Sequence, residues 1–114
     1  RDKVITTNTP GANRLVFDDM NQSIQVSDQN GNTIRLGTDG IRLDSPKDIV
    51  IQAKGSLTID AVGPLSMTSK ADASTQALNV RCEAQVGFTA KGSASAELSA
   101  AGQTTIQGAM VMIN

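Results

Sequence analysis

The chain has 114 residues, enough for one domain of ordinary size, with 39% hydrophobic, 2% aromatic and 18% charged residues and a net charge of -1. Phe17 and Phe88 are its only aromatics, so the large side chains that usually fill a domain centre are missing, and the near-neutral charge leaves no basic surplus to hold nucleic acid or an anionic membrane. One cysteine and no histidine exclude an intrachain disulfide framework and a Cys/His zinc site.

In chain order, residues 1–12, with Asn8-Thr9-Pro10-Gly11, read as a flexible lead-in. They hold no apolar core of signal-peptide type, and nowhere do about 18 consecutive apolar residues occur. The expectation is a chain that neither spans a bilayer nor carries a Sec-type address, and that is a fragment, Arg1 being no natural start. Residues 13–45 read as a meander of short strands: Leu15-Val16-Phe17 before Asp18-Asp19, then Ser23-Ile24-Gln25-Val26, then Thr33-Ile34-Arg35-Leu36. Gln29-Asn30-Gly31-Asn32 is a strong turn between the last two. Ile, Val, Leu and Thr recur along the whole chain, which argues for order.

From residue 41 an octad begins. Ile41, Ile49, Leu57 and Leu65 are eight apart, as are Leu43, Ile51, Ile59 and Met67, and a third row is small: Ser45, Ala53, Ala61 and Ser69. Polar residues such as Arg42, Gln52 and Thr58 lie between them, the alternation of half-buried strands. The phase slips between Lys70 and Ala77 and then resumes as Leu78, Val86 and Ala94; Val80, Phe88, Ala96 and Thr104; and Cys82, Ala90, Leu98 and Ile106. Cys82 reads as a small buried apolar residue. Residues 46–114 are thus expected to form an octad-repeat β-helix.

Each octad provides one strand of about five residues and a turn. Burying an apolar side chain is worth about 1.5–3 kcal/mol, whereas ordering each residue costs about 1–2 kcal/mol, so a unit that buries two or three side chains is marginal alone. Three copies winding about one axis would bring the apolar rows together and pair the open strand edges between subunits. The expected fold is therefore all-β, an intertwined homotrimeric triple-stranded β-helix preceded by a short β-meander. Its trimer core would consist of Ile41, Leu43, Ile49, Ile51, Leu57, Ile59, Leu65, Met67, Leu78, Val80, Val86, Phe88, Leu98 and Ile106. A single-chain β-solenoid is the competing reading.

The segment Asn13-Arg14-Leu15-Val16-Phe17-Asp18-Asp19 resembles the one found where the body of VgrG proteins passes into the spike, and residues 47–59 are similar to that family's strand repeats. These repeats also resemble the needle of the central spike in contractile phage tails, and the likeness covers residues 13–114. The chain departs after Asp19, with Met20-Asn21-Gln22-Ser23 in place of the family's common Gly and Glu, which leaves open type VI secretion or a phage-tail-like particle. The resemblance implies a secreted, extracellular spike, part of an injection apparatus assembled in the bacterial cytoplasm, that pierces an envelope with only transient membrane contact. It also implies a C-terminal platform for a PAAR-type tip protein, with injection-tube and effector proteins engaged through parts outside this segment.

Without histidine there is no His-based triad, general base or His-ligated iron. Asp18-Asp19 reads as a turn after a strand. Asp28, Asn30, Asn32 and Asp39 have partial calcium-loop spacing, but Thr33 stands where glycine is required and Asp39 where the bidentate glutamate belongs. The expectation is no enzyme, no metal and no cofactor. Met110-Val111-Met112-Ile113-Asn114 is apolar on both strand faces and reads as the tip-partner platform. The rival function is a trimeric β-helical tail-fibre or adhesin that binds a surface receptor.

Overall fold

A computed structural model of the chain describes residues 3–114. It is all-β, with no helix among the described residues. Two units divide the chain, Arg1–Pro64 and Leu65–Asn114.

The first unit holds a five-stranded antiparallel meander, β1 (Val4–Asn8), β2 (Arg14–Asp18), β3 (Ser23–Ser27), β4 (Thr33–Gly37) and β5 (Gly40–Asp44), whose order in the sheet is the order in the chain. β1 stands where a flexible lead-in was expected over residues 1–12, of which residues 1–2 lie outside the described residues. Val4-Ile5-Thr6-Thr7 is a β-branched run, and it pairs with β2 from Val4 opposite Asp18 to Asn8 opposite Arg14. The Asp19 N–H, donating to the Lys3 carbonyl at 2.7 Å, extends that pairing beyond the strand end. Asn8-Thr9-Pro10-Gly11 therefore marks a hairpin loop instead of a tether.

The turns at one end of the sheet share a single design. In each five-residue loop, 9–13 and 28–32, the first N–H donates to the fifth carbonyl and the fourth N–H to the first carbonyl. The fifth N–H donates to the first side chain, Thr9 Oγ1 at 3.2 Å in one loop and Asp28 Oδ1 at 2.9 Å in the other. The fourth residue has positive φ in both, 69° at Ala12 and 90° at Gly31. Glycine takes that conformation at little steric cost, and alanine does not. At the opposite end Gly37 faces Gly40 across a two-residue loop, and Gly40 carries the positive φ of 115°.

After Asp44 no strand ladder forms among the described residues, and the backbone runs as extended segments broken by regular bends. In the first unit the bends fall at residues 46–47, 54–55 and 62–63. In the second they fall at 70–71, 78, 85–86, 93–94, 101–102 and 109–110. The octad is thus a period of backbone direction as well as of composition. Between 70–71 and 85–86 two segments share fifteen residues, an eight and then a seven, so one residue is missing from the period between the bends at 78 and 85, later than the slip expected between Lys70 and Ala77.

Candidate functional site

The strand register assembles the main feature of the first unit. Ile5, Phe17, Ile24, Leu36 and Ile41 lie directly opposite one another across the five strands, and Thr7, Leu15, Val26, Ile34 and Leu43 form a second row two residues away. Because side chains two apart along a strand share a face, one face of the sheet is apolar at every position but Thr7. The other face carries the rows Thr6, Val16, Gln25, Arg35, Arg42 and Asn8, Arg14, Ser27, Thr33, Asp44.

Among the described residues nothing covers the apolar face. No described residue is buried; Leu15 is half-buried, and the other large hydrophobics of the two rows are exposed by 37% at Ile24 up to 78% at Ile41. The total accessible surface is 11715 Å², about twice the ~5,900 Å² that a folded monomer of this mass presents.

The bends supply a common frame for the expected core residues beyond β5. Ile49, Leu57, Leu65 and Phe88 stand three residues after a bend begins, and Ile51, Ile59, Met67, Leu98 and Ile106 stand five after. Val80 lies two residues past the bend at 78. Leu78 and Val86 fall on bends, as Val62 does, and all three side chains are fully exposed. Ile41 and Leu43 lie in β5, where the octad rows meet the two apolar rows of the sheet.

Sequence spacing missed Ile5, Leu15, Phe17, Ile24, Val26, Ile34 and Leu36 as members of this surface. Their alternation was visible, but the hairpin registers that align them depend on the turn hydrogen bonds.

At the C-terminus a bend at 109–110 precedes Val111-Met112-Ile113-Asn114, and Met110, Val111, Met112 and Ile113 are all exposed. Met112 and Asn114 hold the frame positions of Phe88 and Ala90. Cys82 is a free, exposed thiol, between Arg81 and Glu83, which form an ion pair at 2.6 Å. Both charged side chains are well exposed, so the pair contributes little to stability.

The polar loops are occupied by their own hydrogen bonds. Asp28 Oδ1 accepts the N–H groups of Asn30 and Asn32, and Oδ2 accepts both of their side-chain amides, at 2.8–3.3 Å. The Asn32 side chain leads the set of bonds that hold the Asp28 carboxyl down at about 2. The calcium-like spacing is therefore an Asx turn. Asp18 does similar work at the β2–β3 turn: its two oxygens accept the Asn21 N–H at 3.1 Å and side-chain amide at 2.7 Å, which lowers its carboxyl, the side-chain bond most. No group of three or more Cys, Asp or Glu among the described residues is placed to hold a metal ion. No helix of the described residues is long and apolar enough to cross a membrane. Neither protein-family models nor curated proteins give a match to the chain.

Proposed function

We propose that the chain is the shaft of a piercing spike built from three copies of itself, of the kind used by contractile injection systems such as type VI secretion or phage-tail-like particles. One observation carries the reading. Two apolar rows cross the whole sheet and pass at Ile41 and Leu43 into octad rows that recur along the rest of the sequence, and no described residue of the same chain buries them. The unpaired backbone after Asp44 points the same way, because extended segments need hydrogen-bond partners and their own chain offers them no ladder.

Identical copies meet both needs together: their apolar rows face a shared axis, and their strand edges pair between subunits. Small residues such as Ala53, Ala61 and Gly92 in the third row suit a narrow axis. A shaft of this kind transmits thrust by stiffness, with Ser, Thr and charged residues outward, and needs no catalytic residue. Met110–Asn114 of each copy would form the platform for a PAAR-type tip protein. The tail-fibre or adhesin reading shares the trimer but needs a lateral binding surface, and both phenylalanines lie in the apolar rows, leaving none for it.

Sedimentation equilibrium of the purified chain tests the assembly: a threefold mass is expected, and a well-folded monomer would sink the proposal. Val111→Asp with Ile113→Asp, off the row of Phe88, then tests the platform, because the assembly should survive and capture of a tip protein should be lost.

A further inference from the structure

Asn30-Gly31 is the chain's one Asn-Gly dipeptide, and it sits at the exposed centre of the β3–β4 turn. Glycine offers no side chain to hinder attack by its own backbone nitrogen. The Gly31 nitrogen, having lost its proton to hydroxide, can add to Cγ of Asn30. The Cγ–Nδ2 bond then breaks and ammonia leaves. Water opens the resulting succinimide at either carbonyl, giving aspartate or isoaspartate at residue 30.

The turn opposes each part of that step. The Asn30 side-chain amide donates to Asp28 Oδ2 at 3.3 Å and its N–H to Asp28 Oδ1 at 2.9 Å, which draws Cγ back toward Asp28. The Gly31 N–H, the future nucleophile, donates to the Asp28 carbonyl at 3.4 Å. An ionised carboxylate close by also disfavours loss of the Gly31 proton. We propose that Asn30-Gly31 is a latent deamidation site and that Asp28 is the positioning residue that holds it closed.

Opening the site would feed back on the fold. Aspartate at residue 30 would set a second carboxylate against Asp28 where an amide donor had been, and isoaspartate would lengthen the backbone of the loop that sets Ser27 opposite Thr33.

The matching turn supplies the variant that separates clamp from fold. Thr9 stands where Asp28 does, and its hydroxyl alone accepts the fifth-residue N–H. Asp28→Thr should therefore keep the loop while releasing the Asn30 side chain. The full-length chain is incubated in mildly alkaline buffer, folded and in urea, and deamidation at Asn30 is followed by peptide mass mapping. Isoaspartate formation at Asp39-Gly40, in the turn at the other end of the sheet, is the internal reference.

The folded wild-type chain should deamidate at Asn30 about tenfold more slowly than the unfolded one. Asp28→Thr should lose most of that protection with the Asp39 rate unchanged. A wild-type rate equal to that in urea overturns the proposal, and so does protection that survives Asp28→Thr. A rise of equal size at both dipeptides assigns the protection to the sheet as a whole and overturns it as well.

Discussion

Asn13 Oδ1 accepts the backbone N–H of Gln29 at 3.2 Å, so the β1–β2 turn is bonded directly to the β3–β4 turn. The two loops are alike in hydrogen bonding and differ at the residue with positive φ, Ala12 in one and Gly31 in the other. Holding one loop against its twin keeps β1 and β3 in step across β2. That alignment is what carries Ile5 and Ile24 into one row.

Ala12 bears a strain that its twin avoids, with φ at 69°. Ala12→Gly should raise stability by about 0.5–1 kcal/mol, the relief of the left-handed conformation outweighing the extra freedom of the unfolded chain. Urea unfolding at one fixed protein concentration measures it, and a lower midpoint would contradict the account.

The Asp28 turn should make stability depend on acid. Its carboxyl is lowered from 3.8 to about 2 in the folded chain, led by the Asn32 side-chain amide. A lowered carboxyl stabilises the fold above its unfolded value and loses that contribution as pH falls through the folded value. Stability should therefore be unaffected by this group down to about pH 4 and decline toward about pH 2, with Asp18 shifted in the same sense. Urea midpoints across that window should fall less steeply in Asp28→Thr than in the wild-type chain.

Two neighbouring substitutions test the bend frame within the proposed trimer. Val80→Asp introduces a charge into the row that continues from Ile49 and Leu57, and burying an unpaired charge is costly. It should abolish the threefold mass in sedimentation. Leu78→Asp, on a bend with Val62 and Val86, should leave the mass unchanged and shift stability by less than about 0.5 kcal/mol. The opposite result would return Leu78 to the core.

The segment after the bend at 70–71 should open first. Its frame positions hold Ala73 and Thr75, where earlier segments hold Ile, Leu or Met, so each copy in the proposed trimer contributes less apolar burial there. Lys54 and Lys70 both sit at bends. Limited trypsin digestion of the assembled protein should cut after Lys70 well before Lys54, as read by intact mass.

Much of the architecture was legible from residue order alone. Two-residue alternation marked strands β3 and β4, an apolar run before Asp18-Asp19 marked β2, and the eight-residue recurrence marked the segments whose bends share its period. Local patterning suffices there because the face on which a side chain emerges depends only on its parity along an extended backbone. Only the three-dimensional structure decided that Val4–Asn8 is a strand, that Leu78 and Val86 lie on bends, and that Ile5, Phe17, Ile24, Leu36 and Ile41 form one row. Those outcomes rest on hairpin register, which is set by hydrogen bonds inside the loops and by contacts such as that of Asn13 with Gln29, and residue spacing carries no record of them.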